Sequence, residues 1–203
     1  MSIRTCTVVA VEGTAAAGKT TLVHALTSYY RERGVNVACT GEPARVNPFL
    51  EEIVLHGQGT FDLTAELDAF AVQLSTILRG SRHHTLLITD KTPANVLAYA
   101  RLVLDRTDPV NHAVIASMEA MCRAWMPASV DLIVHCRDRF DQRSGGDRMR
   151  EKVIDLQDAT AAAVHEACAA TGVKMVDLPT SLDTQSRVRW IADRVSELGL
   201  LAA

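Results

Sequence analysis

Gly13-Thr14-Ala15-Ala16-Ala17-Gly18-Lys19-Thr20 fits the pattern G-x-x-x-x-G-K-[ST] without a mismatch. The residues before it, Thr5-Cys6-Thr7-Val8-Val9-Ala10-Val11, form a short apolar, β-branched run that reads as a buried strand. After it, Leu22, Ala25, Leu26 and Tyr29 recur at helical spacing. A strand, a glycine-bounded loop and a helix gather backbone N–H groups and a helix N-terminus around one anion. In that setting Lys19 can reach β- and γ-phosphates, and the Thr20 hydroxyl can hold Mg²⁺. The stretch therefore predicts a nucleoside-triphosphate site rather than a plain turn.

The rest of the chain sets the frame for that site. Its 203 residues suit one α/β domain over 1–203, and an apolar share of 48% is ample for a core. A net charge of −3 gives no basic signature for nucleic acid. No run approaches the apolar length of a membrane span. The chain enters its first strand almost at once, so no signal peptide is expected. Cys6, Cys39, Cys122, Cys136 and Cys168 are scattered, with no C-x-x-C pair. They read as reduced thiols of a cytoplasmic protein.

Strands are expected near 5–11, 35–40, 85–90, 130–136 and 173–178. Helices are expected over 19–33, 63–80, 93–106, 111–125, 151–171 and 184–198. This alternation favours a mostly parallel five-stranded sheet with helices on both faces. Ligands should gather at the carboxyl ends of such strands.

Three strand ends carry candidates. The second strand runs into Thr40-Gly41-Glu42-Pro43-Ala44-Arg45. Glu42 there could accept a proton from an attacking hydroxyl, or remain a solvated loop carboxylate. The third, Leu86-Leu87-Ile88-Thr89, runs into Asp90-Lys91-Thr92. Asp90 is the candidate for Mg²⁺ contact and Lys91 for a phosphate, while Thr92 fits a helix N-cap before Pro93 at N1. The fourth leads into residues 137–150, where five arginines surround Gly145-Gly146. This segment reads as a lid closing over phosphates, with Arg143 and Arg148 as candidate catalytic contacts. A lid arginine can contribute about 10³–10⁵ in rate; the competing reading is a surface loop with internal ion pairs. Between the second and third strands, Leu63, Leu67, Phe70, Leu74 and Ile77 mark a buried helical stripe. Gln73 beside it could read a base edge or simply sit at the stripe's border. The adjacent His83-His84 reads as solvated loop.

Taken together, these residues resemble the thymidylate kinase and deoxyribonucleoside kinase group of phosphate-loop kinases, over nearly the whole chain. Gly13 to Thr21 is similar to that group's ATP loop, with Thr14, Ala15, Ala16, Ala17, Gly18, Lys19, Thr20 and Thr21 about the phosphates. Thr40-Gly41-Glu42-Pro43 resembles the Glu-Pro of the second strand end, where the nucleoside branch keeps its general base. Asp90-Lys91-Thr92 stands where the nucleotide branch carries Asp-Arg-aromatic and the nucleoside branch Glu-Arg-Ser. Asp131 to Arg150 resembles the strand and arginine lid. The resemblance implies a three-layer phosphate-loop kinase fold with ATP and Mg²⁺ as cofactors.

Two departures bear on the acceptor. Lys91 replaces the arginine expected there, which weakens bidentate phosphate recognition. Phe70-Ala71-Val72-Gln73-Leu74 has no arginine until Arg79, where thymidylate kinases carry one for the acceptor monophosphate. The stretch is instead similar to the Phe-Gln run whose Gln binds the base in deoxyribonucleoside kinases. The implied acceptor site is thus Glu42, Arg45, Phe70, Gln73 and Lys91, and the expected reaction is ATP-dependent phosphorylation of a nucleoside or its analogue. The alternatives are a thymidylate-like monophosphate kinase and, in another class, a nucleotide-dependent regulatory ATPase or switch. The guanine-reading Asn-Lys-x-Asp is missing, and the helical lid domain of a motor ATPase is not expected. Helices 93–106 and 111–125 offer an apolar face on which two chains could pair.

Overall fold

The protein, seen in a computed structural model, is described over residues 5–42, 47–55, 61–140 and 157–201. The strands are β1 (Thr7–Glu12), β2 (Val37–Thr40), β3 (Leu86–Asp90), β4 (Leu132–Cys136) and β5 (Met175–Leu178). The helices are α1 (Lys19–Arg31), α2 (Pro48–Leu55), α3 (Leu63–Gly80), α4 (Pro93–Val103), α5 (Pro109–Ser129), α6 (Gln157–Ala169) and α7 (Thr184–Glu197). All strand pairs are parallel, in the order β2-β3-β1-β4-β5. This is the phosphate-loop kinase fold. Residues 141–150 of the expected arginine lid lie outside the described residues, as do Pro43 to Arg45.

Parallel strands need crossovers, and the helices that make them cover both faces of the sheet. Alternation along β1 divides its residues between two cores. Val8 and Ala10 pack with Leu87, Ile133, Phe70, Ile77, Leu97, Met118 and Val164. Val9 and Val11 pack with Leu86, Ile88, Leu132, Val134, Leu22, Leu26, Val188 and Ile191. Trp125 and Trp190 sit partly buried against these two cores, one on each face. Because β1 lies between β3 and β4, the chain leaves it towards one edge and later returns to build the other. A crevice opens at that reversal, outside the carboxyl ends.

Local sequence sets most helix starts. Asp62, Asp108 and Asp183 accept hydrogen bonds from Ala65 N (2.9 Å), Val110 N (2.8 Å) and Ser186 N (2.7 Å) respectively. The helix expected over 111–125 therefore starts at Pro109, immediately behind its cap. Helix α2 has no counterpart among the expected elements, although Asn47-Pro48 is a cap-and-N1 pair. Asn47 Oδ1 accepts from Phe49 N at 2.9 Å and its Nδ2 donates to Ala65 O at 3.0 Å, fastening α2 to α3. All five cysteines are free thiols. No helix among the described residues is long and apolar enough to cross a membrane.

The buried face of α3 carries Ala65, Glu66, Ala69, Phe70, Gln73 and Ile77. Glu66 is 4% exposed. Burial pushes its carboxyl up from 4.5 to about 7, against the pull of Lys91 and helped by Asp62. The folded chain thus holds a proton there that the unfolded chain releases at lower pH, and stability falls as pH rises from about 4.5 to about 7. Glu66→Gln removes that loss. Urea unfolding at pH 4.5 and pH 8 should show the variant gaining up to about 3 kcal/mol on the parent between the two. Parallel pH profiles would show that Glu66 titrates alike in both states.

Candidate active site

The loop between β1 and α1 takes a conformation that its glycines permit. Gly13 has φ 136°, and a Cβ there would lie 2.4 Å from the Cys136 carbonyl oxygen. Gly18 has φ 74°, with its missing Cβ 2.9 Å from the Phe140 ring. Ala16 also lies in the left-handed region, at φ 63°. The loop is braced from behind. Phe140 N donates to Ala16 O at 3.0 Å and Arg187 Nη1 donates to Ala17 O at 3.2 Å. Arg187 is itself held by an ion pair with Asp138 and stands over the Phe140 ring.

Lys19 opens α1 and is buried, its Nζ donating to the Thr14 carbonyl at 2.5 Å. Burial and then Lys91 lower its pKa, opposed by Asp90, Glu42 and Glu12. These five groups therefore share one electrostatic pocket at the ends of β1, β2 and β3. Thr20 Oγ1 donates to Asp90 Oδ2 at 2.8 Å. The other oxygen, Asp90 Oδ1, is buried without a hydrogen-bond partner. A buried carboxylate oxygen lacking a donor beside a threonine hydroxyl suits a hard, oxygen-seeking cation. The residues present fit Mg²⁺.

Glu42 and Lys91 meet across neighbouring strand ends, with Lys91 Nζ 2.5 Å from Glu42 Oε1. Burial works against the lysine's charge, yet Glu42, Tyr99 and Asp90 hold its pKa above the usual range. Lys91 is a non-glycine residue at φ 71°. Its backbone is fixed by three hydrogen bonds: Lys91 N to Val11 O (3.1 Å), Gln73 Nε2 to Lys91 O (2.7 Å) and Thr89 Oγ1 to Lys91 O (3.0 Å). Thr40 Oγ1 donates to Thr89 Oγ1 at 2.9 Å and completes this buried network.

Gln73 is thus placed beside Lys91, with no exposed surface and its amide nitrogen already engaged. Only its Oε1 is without a partner, so the paired donor and acceptor that a base edge requires are not both free. Phe70 is a core residue of the α3 face. Glu42, Lys19, Thr20, Asp90 and Lys91 are brought together, whereas Arg45, Arg143 and Arg148 lie outside the described residues.

Two participants escape the sequence reading. Glu12, the last residue of β1, is fully buried and accepts from Thr92 Oγ1 at 2.6 Å and Asn95 Nδ2 at 2.8 Å. Burial raises its pKa, opposed first by the bonds from Thr92 and Asn95 and then by Lys19 and Lys91. Thr92 does occupy the N-cap of α4, with Pro93 behind it, but spends its hydroxyl on Glu12 rather than on the helix. An acid inside an apolar strand directly before a phosphate loop was the available signal. Arg187 could have been found as a charge on the buried stripe of α7, next to Val188 and in phase with Ile191 and Val195.

The architecture is shared with solved structures. Thymidylate kinase from Candida albicans superposes with a TM-score of 0.71 at 15% identity, covering 96% of this chain and 93% of that one. Deoxyadenosine kinase from M. mycoides, solved with bound dATP, gives 0.63 at 14% identity, covering 93% and 99%. NadR in complex with NR gives 0.64 at 22% identity; 95% of this chain covers 51% of that longer one. At such identities the likeness establishes the fold alone. No curated protein matches in sequence. The family model described as an AAA domain (AAA_28) matches residues 8–187. That span is most of the chain, which belongs to this AAA domain family and carries it on a phosphate-loop kinase fold.

Proposed function

We propose that the protein is an ATP-dependent kinase that phosphorylates a hydroxyl group of a nucleoside or nucleoside analogue. The observation that carries this reading is the Glu42–Lys91 pair, set at adjacent strand ends within electrostatic reach of Lys19. A carboxylate held beside the phosphate loop supports phosphoryl transfer to an alcohol, whose hydroxyl proton needs a base.

In this reading the loop amides and Lys19 hold the triphosphate, Lys19 exchanging the Thr14 carbonyl for a phosphate oxygen. Thr20 and Asp90 would hold Mg²⁺, which would supply charge neutralisation for the triphosphate. Glu42 takes the acceptor's hydroxyl proton while the hydroxyl oxygen bonds to the γ-phosphorus and the bond to the ADP oxygen breaks. Lys91 keeps Glu42 aimed and adds positive charge beside the transferring group. Arg143 and Arg148 are proposed as lid contacts, and Arg45 as an acceptor contact. Gln73 acts through Lys91: its amide fixes the carbonyl of the left-handed residue whose side chain pairs with Glu42.

Glu42→Gln should lower turnover by about 10²–10⁴ with nucleotide affinity retained; unaltered turnover removes Glu42 from the proton transfer. Wild-type protein with Mg-ATP should phosphorylate members of a nucleoside panel. Product formed only from monophosphates would identify a nucleotide kinase, and hydrolysis indifferent to every acceptor would identify a switch. Gln73→Leu should reduce kcat by about 10- to 100-fold through a displaced Glu42, with the ranking of acceptors unchanged. A changed ranking would instead place Gln73 against the base.

A further inference from the structure

We propose that His135, His165 and Asp177 form a binding site for one divalent transition-metal ion of the zinc class, distinct from the Thr20–Asp90 site. His135 on β4 and Asp177 on β5 are cross-strand partners in the parallel register. The sheet therefore fixes their separation, with His135 Nδ1 and Asp177 Oδ1 2.9 Å apart. His165 projects from α6 onto the same spot, its ring centroid 5.1 Å from that of His135 at an interplanar angle of 67°. One ligand atom from each of the three residues lies within 4.8 Å of the others.

Those separations are close to what an ion requires. Zinc bonds of about 2.0–2.2 Å to nitrogen and oxygen allow two ligands on one ion to stand at most about 4.2 Å apart. The His135–Asp177 pair already satisfies this, and the exposed His165 side chain needs only a small rotation to close the rest. Two imidazoles and one carboxylate suit a borderline metal rather than Mg²⁺, which takes oxygen. The three ligands leave a coordination position open to a cavity of about 340 Å³, which Thr14, Arg137 and Arg139 also border. Arg137 Nε stands 4.0 Å from Asp177 Oδ1 on an exposed face, a long contact that an ion would replace. Through Thr14 the cavity borders the phosphate loop, so the ion would sit beside the nucleotide without sharing its ligands.

The metal-stripped full chain, titrated with Zn²⁺ by calorimetry and with Co²⁺ by visible absorption, tests the assignment. One ion should bind per chain, without a thiolate-to-cobalt band and without displacement by excess Mg²⁺. His165→Ala and Asp177→Asn should each weaken binding by about tenfold or more. Both residues are exposed, so the variants should keep the parent's melting profile. The proposal falls if no stoichiometric binding is seen, if both variants bind like the parent, or if Mg²⁺ competes. It also falls if a thiolate band appears, since the ion would then be held by a cysteine, Cys136 of the same cavity or Cys39 beside His24, rather than by these three ligands. None of these readouts depends on kinase activity, so the assignment and the proposed reaction fail separately.

Discussion

Charge compensation inside the crevice is the constraint on which the rest of the structure turns. Glu12, Glu42 and Asp90 meet Lys19 and Lys91 at the ends of three adjacent strands, and most of these side chains are buried. An isolated buried charge is costly, so each must find a partner or a hydrogen bond. Glu42 pairs with Lys91, both oxygens of Glu12 accept hydrogen bonds, and Asp90 receives the Thr20 hydroxyl. Lys19 is left with a backbone carbonyl and Asp90 with one unpartnered oxygen. Those two deficits are complementary to an anionic ligand and a hard cation, the two charges that a metal-bound triphosphate brings.

The fold was legible because its signals are local. A β-branched strand followed by G-x-x-x-x-G-K-T fixes the first unit, and the alternation of apolar runs fixes the parallel sheet. Residues at strand ends were likewise legible, since topology alone sends the ends of β2 and β3 to the phosphate loop. Helix α2 was not, because it is short and its docking depends on Asn47 reaching the Ala65 carbonyl, a contact between elements. Glu12 and Arg187 were missed for a related reason. Each is held by partners distant in sequence, Glu12 by Thr92 and Asn95, 80 and 83 residues away, and Arg187 by Ala17 and Asp138, 170 and 49 residues away.

Gln73 shows where residue type misleads. On a helix facing a nucleotide crevice, an amide pairing one donor with one acceptor suggests base recognition. Only the packed structure reveals that the donor is spent on the Lys91 carbonyl, eighteen residues away. The same side chain type at the same helical phase can therefore read a base edge or hold a neighbouring strand end in place. What decides is whether the strand end beneath it needs support.

Here it does need support. A lysine at φ 71° carries a backbone cost of about 1–2 kcal/mol that a glycine would avoid. Such a conformation persists only where the surroundings over-determine it, and outliers of this kind cluster where function requires them. Gln73 and Thr89 both donate to the Lys91 carbonyl, and Val11 accepts from its amide, so the surroundings do over-determine it. A glycine would relieve the backbone but present no ammonium to Glu42. An arginine would bring a planar fork suited to phosphate, and lysine brings a compact point charge. The strain, the network that holds it and the choice of lysine thus converge on one task. They hold the Glu42 carboxylate in a fixed place at the end of β2, 2.5 Å from the Lys91 ammonium.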